Sequence, residues 1–262
     1  MGSATTQALA ATTSALTAAP SVDLDVAREL FAAVRVLAGS SQLSGALSDA
    51  SVPAEPRRNV VSSVFGGYSA ATVSVLDAAV AERWSSAADL ISGIEEAGVR
   101  AAAIAAPQVD LEAELFSVAR TIAANPELEL ALGSRLGDST AKGALIEKLL
   151  GGRASEPTVI IVSSLVQVPR ERRVRSMLSR ALRVVADQRG RAAATVFAAS
   201  TLTADQTSRL QSTLAARYGT DISLNVVIDP SVVGGVRVEI GDDVIDATVS
   251  SRLSDLRHRL AG

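Results

Sequence analysis

The sequence contains no cysteine and only one histidine, His258. The missing cysteines exclude disulfides and thiolate metal ligands, and they fit a reducing compartment. A single imidazole argues against a histidine-based zinc site or a Ser–His catalytic pair. Aromatic residues make up 3% of the chain although 48% is hydrophobic, so alanine, leucine and valine must build the core. Because alanine and leucine are strong helix formers, this composition favours helices.

A strong net charge and a long apolar run are also missing. The formal net charge is −3, so no global basic field would attract nucleic acid. The longest apolar stretch covers residues 159–168, far short of the roughly 20 residues that a membrane-spanning helix needs. No basic residue precedes Arg28, whereas a secretory signal begins with positive charge. We therefore expect no direct membrane insertion.

The chain matches itself when it is shifted by 85 residues. Glu-Leu-Phe occurs from Glu29 and again from Glu114, and the match runs without a gap through the double glycines 66–67 and 151–152. Further pairs at this offset are Arg35 with Arg120, Leu43 with Leu128, Val75 with Ile160, Leu76 with Ile161, and Val80 with Leu165. Two copies are too few for a solenoid array, so we predict two related helical units.

Each unit carries the periodicity and the end signals of helices. Asn125 and Pro126 are typical of a helix start, and Asp138 or Ser139 is expected to cap another helix. Both double glycines are expected to end helices. One helix face is predicted by the spacing of Val26, Leu30, Val34 and Leu37.

From about residue 191 the pattern changes to a small α+β domain. A strand is predicted within 191–200, and a helix follows, capped by Thr203 and Gln206 and ended by Gly219. Two strands and a final helix complete the order strand-helix-strand-strand-helix. The fold class is therefore mainly α, with a duplicated helical bundle before the α+β domain. The predicted domains are 1–106, 107–190 and 191–262.

Two features of the last domain could suggest an enzyme. Gly234 and Gly235 could cradle a phosphate, but they lead into alternating strand residues and not into a helix with a lysine. A bulge or a close backbone approach is the better interpretation. Asp242 and Asp243 follow Gly241, which is typical of a solvated turn between strands. We predict no catalytic, cofactor-binding or metal-binding residues.

Two other motifs have ordinary structural explanations. The stretch "GYSAA", residues 67–71, departs from the nucleophile elbow at its last position and follows a helix instead of a strand. Residues 169–191 hold eight arginines. Because this segment also carries an apolar stripe, we interpret it as an amphipathic helix with a basic outer face. A basic face that docks an acidic partner helix is the alternative.

The stretch "ISLNVVIDPSVVGGVRVEIGDDVID", residues 222–246, resembles the signature of the delta subunit of bacterial F-type ATP synthase, the family of the mitochondrial oligomycin-sensitivity-conferring protein. The strongest matches are Asp229, Gly234, Gly235, Gly241 and Asp246, although Ala247 and Thr248 stand where the family usually has Gly and Ser. The likeness covers about residues 110–262. Residues 24–95 resemble the duplicated unit of long actinobacterial members.

The resemblance implies a non-catalytic connector. In the family, the helical bundle grips N-terminal helices of alpha subunits at the top of the catalytic head, and the C-terminal domain holds the b-type stalk. The chain would act as part of the stator, peripherally at the cytoplasmic face of the cell membrane, without a cofactor. Candidate alpha-subunit contacts are Phe31 and Phe116, if either faces outward. Candidate b-stalk contacts are Val236, Val238, Leu253, Leu256 and Leu260.

Three alternatives remain open from the sequence. A helical adaptor of another complex would share only the C-terminal fold with this family. A nucleotide-binding or hydrolytic protein would use the double glycine, Asp242 or Asp243. A nucleic-acid-binding protein would use the arginine-rich helix and would bind in a steeply salt-dependent way.

Overall fold

The computed structural model describes residues 2–134, 137–170, 172–241 and 243–249. These ranges are mainly helical, with a four-stranded sheet near the C-terminus, which confirms the predicted fold class. The helices are α1 (Ser3–Ala18), α2 (Leu24–Gly39), α3 (Ser41–Ser48), α4 (Ala54–Phe65), α5 (Ala70–Ala81), α6 (Ala87–Ala105), α7 (Leu111–Ala123), α8 (Pro126–Gly133), α9 (Ser139–Leu150), α10 (Glu156–Gln167), α11 (Val174–Gln188) and α12 (Ala204–Tyr218). The strands are β1 (Arg191–Ala198), β2 (Asp221–Ile228), β3 (Val236–Ile240) and β4 (Asp243–Asp246).

The helices recur in two series: α1–α6 form the first series and α6–α11 form the second. Helices α3 and α4 begin and end 85 residues before α8 and α9, as the internal repeat predicts. Helices α5 and α10 are both 12 residues long, but they are 86 residues apart. The ungapped offset is therefore wrong beyond the double glycines, and Val75 corresponds to Ile161 instead of Ile160. The additional residue lies in a loop, where it disturbs neither helix.

Helix α6 belongs to both series. It follows α5 as the last helix of the first series, and it precedes α7 across five residues, 106–110, just as α1 precedes α2 across five residues, 19–23. Its buried positions occupy all sides over 90–103, which is typical of a central core helix. Gly98 brings α6 close to α2, because a Cβ there would stand 3.1 Å from the Phe31 ring.

Most helix starts carry the expected side-chain caps. Asp138 accepts from the Thr140 amide at 2.8 Å, which decides between the two predicted caps of α9. Asn125 does not cap α8, because its side-chain amide instead donates to the Thr121 carbonyl. Thr203 forms the predicted capping box. Side-chain caps are also formed by Asp23, Ser40, Ser69, Ser86 and Asp110.

The sheet has the strand order β2-β1-β3-β4. Strands β1 and β2 run parallel and are connected by α12, whereas β3 and β4 add in antiparallel fashion. Leu214 of α12 packs on a core formed by the sheet residues Ala194, Val196, Ile222, Val238 and Ile240. Strand β4 is an additional element that the predicted order omitted. The predicted final helix falls mainly on residues 250–262, which lie outside the described ranges.

The contacts divide the chain into two compact units, Met1–Val184 and Val185–Gly262. Both helical series fall almost entirely in the first unit, and the sheet falls in the second. The predicted domain boundaries after residues 106 and 190 stay predictions. Among the described residues, no single helix is long and apolar enough to span a bilayer, although α2 and α3, bent by 107°, pass that test as a pair.

Candidate interaction surfaces

The double glycine of the second unit is built for a close backbone approach. Gly234 and Gly235 adopt positive φ values of 63° and 81°, a region that favours glycine. A Cβ at Gly235 would overlap the carbonyl oxygen of Ala247. The chain then enters a strand, so no helix N-terminus follows that could hold a phosphate. Within the described ranges, no group of acidic residues and histidine could hold a metal ion.

The predicted turn between two strands is present at Gly241, which has a φ of 59°. Asp243 pairs in register with Ile240 across this turn and accepts a hydrogen bond from the Tyr218 hydroxyl at 2.9 Å. That hydrogen bond raises the pKa of Tyr218. Asp243 is exposed and serves the turn, and Asp242 lies outside the described residues.

The two signature aspartates shape the chain on either side of β3. Asp229 accepts hydrogen bonds from the amide and the hydroxyl of Ser231 at 2.9 and 2.7 Å. Asp246 accepts from the Thr248 amide at 2.9 Å. Hydrogen bonds from the side chain and the amide of Thr248 lower the pKa of Asp246. Such short-range bonds to a following backbone amide stabilise turns, so both aspartates have a structural role.

Each helical series contains the same half-buried carboxylate clamp. Glu29 accepts hydrogen bonds from the Ser69 hydroxyl at 2.6 Å and from the Thr72 hydroxyl, at the start of α5. In the second series, the Glu114 carboxylate takes the same position at the start of α10. It accepts from the Ser155 hydroxyl at 2.7 Å and from the Thr158 hydroxyl at 2.6 Å. A carboxylate at a helix N-terminus is favoured by the orphan amides and by the helix dipole.

The clamp affects the ionisation of Glu114. Burial alone would raise the pKa of this carboxyl, but hydrogen bonds from Thr158 and from the side chain and amide of Ser155 together outweigh it. The pKa of Glu114 therefore lies below its ordinary value. The serine of "GYSAA" is Ser69, so it is a helix cap bound to Glu29 and not a nucleophile.

The first series has an open groove between α1, α4 and α5, which we call the first groove. Its volume is about 500 Å³. Small side chains form most of its walls, so a partner backbone can come close. The lining residues are Ala15, Arg58, Ala70, Val73, Ser74, Asp77 and Ala78.

One carboxylate interrupts the small residues of the first groove. Burial raises the pKa of Asp77, and the positive charge of Arg58 opposes this only in part. The Oδ1 atom of Asp77 is buried without a hydrogen-bond donor among the described residues. The first groove is therefore mainly apolar, with one imperfectly satisfied acidic group.

The counterpart of this groove in the second series is closed. The counterparts of Asp77 and Ala78 at the corrected offset are Ser163 and Ser164, which are 5% and 9% exposed. Arg28 of α2 forms an ion pair with Glu156 at the start of α10. The buried residues of α10 are Pro157, Thr158 and the unbroken run 160–166. Since α10 is covered on nearly all sides, it presents no matching groove.

The second series instead opens between α7, α8 and α9, in a groove of about 300 Å³. In the first series, Phe65 and Tyr68 stand at 5.5 Å between ring centroids. In the second series, Leu150 stands at the position of Phe65, and the loop that corresponds to Tyr68 holds Arg153 and Ala154; all three line the groove. Loss of the two aromatic rings is one physical reason for the opening. Its apolar walls include Val118, Ile122, Ile146 and Leu149.

The arginine-rich segment is tied to α6 by ion pairs. The Arg172 guanidinium binds both oxygens of Glu95 at 2.6 and 2.8 Å. Arg170 also reaches Glu95, at 3.2 Å, and Arg180 reaches Glu96 at 3.1 Å. The Glu95 side chain is only 5% exposed. Part of the basic face therefore docks on an acidic helix of the same chain, and it is not wholly a solvated outer face.

The structure separates the predicted contact residues by burial. Phe31 is 2% exposed, so it does not meet the condition of facing outward, whereas Phe116 is half-buried. Val238 is 2% exposed and belongs to the sheet core. Val236 is half-buried and packs against that core. The remaining predicted stalk contacts, Leu253, Leu256 and Leu260, lie outside the described residues.

The second unit exposes apolar residues that the sequence did not single out. Val233 is 61% exposed and Val249 is 46% exposed. The Val249 amide donates to the Val233 carbonyl at 3.1 Å, so the two residues are neighbours. Val244, on the edge strand β4, is 60% exposed. In the sequence, the exposure of these three valines is indicated only by their positions, beside the double-glycine loop or on a short strand.

Comparison with known proteins identifies the family. A family model described as ATP synthase delta (OSCP) subunit matches residues 95–260. A protein of Leifsonia xyli subsp. xyli named ATP synthase subunit delta is 49% identical, over 100% of both chains. Proteins of the same name from Streptomyces avermitilis and Nocardia farcinica are 36% and 39% identical. Each alignment covers 94% of this chain and 93% of the relative.

The residues covered by these matches show which relatives share the duplicated helical series. The family model begins within α6 and so covers the second helical series and the sheet unit. The Leifsonia relative matches the whole chain, including the first series. On these grounds, the chain belongs to the ATP synthase delta (OSCP) subunit family, in its long form with two helical series.

Proposed function

We propose that the chain is a non-catalytic stator subunit of the F-type ATP synthase. It links alpha subunits at the top of the catalytic head to a b-type stalk, so the head does not turn with the central shaft. The first groove is the observation that carries this proposal beyond family membership. It is an open, mainly apolar surface on a helical bundle, of the kind that accepts a helix of a partner protein.

The first groove suits an amphipathic helix from an alpha subunit. Helix-in-groove recognition uses apolar anchors at successive helical turns of the bound segment. Ala15, Ala70 and Ala78 leave room for such anchors, because each projects only a methyl group into the groove. We propose this groove, in place of Phe31, as the main alpha contact. Phe116 stays a second proposed contact.

The second unit is the proposed attachment point for the b-type stalk. Val233 and Val249 form an exposed apolar pair beside the double-glycine loop. Val236 borders the same loop, and the final segment with Leu253, Leu256 and Leu260 follows Val249 in the chain. We propose that this end of the unit carries the stalk contact. Val238 supports it from within the core.

The proposed location is the cytoplasmic face of the cell membrane, where the chain is held by its partners. The test is affinity purification of the tagged chain from its native membranes at moderate salt, followed by mass spectrometry. Alpha, beta and b-type subunits are expected in excess over other proteins. Recovery of the folded chain without them would overturn the stator role and favour an adaptor of another complex.

A matched pair of variants tests the groove itself. Ala15→Trp fills the first groove, whereas Ala10→Trp places the same side chain on an exposed position of α1 outside the groove lining. Ala15→Trp is expected to lower recovery of alpha subunits about tenfold, equivalent to about 1.4 kcal/mol, and to leave b-type recovery unchanged. Equal alpha recovery with both variants would rule out this groove.

A further inference from the structure

The second helical series carries a groove that the proposed function does not use. It lies between α8 and the residues around the start of α11, and we call it the α8–α11 groove. Its volume is about 680 Å³. Leu130, on its wall, is 76% exposed, the highest exposure of any large hydrophobic residue in the described ranges. Arg172, Arg173 and Arg175 line the same groove.

Positive charge predominates in this groove. Among the described residues that line it, Glu129 is the one acidic residue, against three arginines. Arg172 is engaged with the buried Glu95. Arg175 pairs with Glu129 at 3.0 Å, but its side chain is 51% exposed. Exposed ion pairs contribute little to stability, so Arg175 can change partner at small cost.

Arg173 is the most available of the three cations. It is exposed, and no carboxylate partner is found for it among the described residues. An exposed leucine beside two accessible guanidinium groups combines an apolar anchor point with donors that favour carboxylates. The charge of the groove therefore selects an acidic ligand, and Leu130 requires that ligand to be amphipathic.

The first series lacks both parts of this surface. Gly45 stands at the position that corresponds to Leu130, 85 residues earlier. Ser85 and Ser86 precede α6, where Arg172 and Arg173 precede α11. Ser86 caps α6, and the Ser85 hydroxyl lies 2.8 Å from the Thr5 hydroxyl. The leucine and the arginines are therefore not required by the shared helical plan.

We propose that the α8–α11 groove is a second docking site, which binds an acidic amphipathic helix of a partner protein. The bound helix packs apolar side chains on Leu130 and places carboxylates against Arg173 and Arg175. The groove is concave and offers one large exposed apolar residue with a glutamate among the cations. These features fit a shaped peptide ligand better than a flat anionic membrane surface. The proposal stands on this surface and does not depend on the stator role.

The experiment uses the purified full-length chain and two labelled helical peptides of about five turns. Both peptides carry the same leucine face, and their remaining positions are glutamate in one and lysine in the other. The glutamate peptide is expected to bind, as measured by fluorescence anisotropy, and binding is expected to weaken with added salt. Leu130→Ser and the double variant R173E/R175E are each expected to raise Kd at least about tenfold.

Matched controls separate the groove from general surface effects. Val64→Ser removes an exposed apolar residue of α4, and Arg209→Glu reverses an exposed cation of α12. Both are expected to leave Kd unchanged. The double variant R173E/R175E is expected to gain binding to the lysine peptide. A misfolded protein would not show that exchange of preference.

Several results would overturn the proposal. Absence of binding by the glutamate peptide would do so, as would equal affinity for both peptides. Equal affinity of parent and R173E/R175E for the glutamate peptide would also contradict it. A last arm uses vesicles of phosphatidylcholine and phosphatidylserine. If they bind through Arg173 and Arg175 and displace the glutamate peptide, the groove is a membrane contact and the proposed partner is wrong.

Discussion

The two helical series share one plan but present different surfaces. Helices α3, α4 and α5 have the same lengths as α8, α9 and α10, and the same carboxylate clamp holds the start of α5 and of α10. The first series leaves its α1–α4–α5 groove open. The second series buries the counterpart on α10 and opens grooves beside α8 instead. A repeated fold therefore does not imply a repeated binding site.

The two series differ in exposed surface because equivalent helices pack against different neighbours. Helix α10 is covered, and Arg28 of α2 reaches its first residue, Glu156. Helix α5 also packs on α1 and α6, but its outer face remains open at the first groove. Equivalent helices therefore have different neighbours in the two series, and these neighbours decide which helix face stays exposed. The clamps differ less, because each depends only on contacts within its own series.

The largest expected contrast is between the two equivalent phenylalanines. Phe31→Ala removes a ring that is 2% exposed and packed on Gly98, so the free energy of unfolding should fall by about 3–5 kcal/mol. Phe116 is half-buried, so Phe116→Ala should cost about 1 kcal/mol. Urea unfolding followed by circular dichroism measures both. Equal losses would mean that the two series are packed alike at this position.

The next effect concerns the ion pairs of the helix that both series share. Glu95→Ala leaves Arg170 and Arg172 without their carboxylate in a largely buried site, and the free energy of unfolding should fall by about 3 kcal/mol. Glu147→Ala, on an exposed face of α9, should change it by less than about 0.5 kcal/mol. Urea unfolding of the two variants makes the comparison. A loss no larger than that of the control would show that the pairs are too solvated to matter.

The sequence predicted the local elements well because their signals are local. The capping box at Thr203, the glycine at the end of α12 and the turn at Gly241 all depend on a few neighbouring residues. The resemblance in 222–246 rested on the same kind of short-range pattern. These predictions required no knowledge of which helix lies against which.

Burial was harder to predict, because periodicity shows a helix face but not its neighbour. Phe31 and Phe116 occupy equivalent positions in the repeat, yet only Phe31 meets Gly98 of α6. Likewise, the arginines of 169–191 gave no sign that Glu95 and Glu96 would receive three of them. The grooves escaped prediction for the same reason, since each is formed by helices far apart in the sequence.

The two clamps offer a finer comparison. Glu29→Gln and Glu114→Gln keep the side-chain size but remove the charge that the helix-start hydroxyls bind, so each should cost about 1–2 kcal/mol. Because both clamps have the same partners, the two losses should agree closely in urea unfolding at neutral pH. A loss confined to one series would show that the clamp depends on its surroundings after all.

The Glu114 clamp should also depend on pH in a defined direction. Its folded-state pKa is lowered from the ordinary value of 4.5. The charged clamp therefore contributes fully above that value, and its contribution is lost as pH falls through the lower folded-state pKa. The difference between parent and Glu114→Gln should shrink over this acid range. A difference that stays constant on acidification would contradict the lowered pKa.

The smallest expected effect, in the first groove, has the opposite sign. The pKa of Asp77 is raised because burial disfavours its charged form. Asp77 therefore favours the folded chain most at pH values below its ordinary pKa of 3.8. This contribution to stability is lost as pH rises through the higher folded-state pKa. Asp77→Asn should stabilise the chain at neutral pH, by only about 0.3 kcal/mol because the group is partly solvated.

Thermal unfolding at neutral and acid pH tests this sign. The gain should be present at neutral pH and vanish where Asp77 is protonated in both folded and unfolded chains. The second series provides the control, since Ser163 stands at the equivalent position and is neutral at every pH. A loss of stability at neutral pH would mean that the charged carboxylate is satisfied in the groove. The first groove would then be a more polar site than its alanines indicate, and its ligand would need a matching cation.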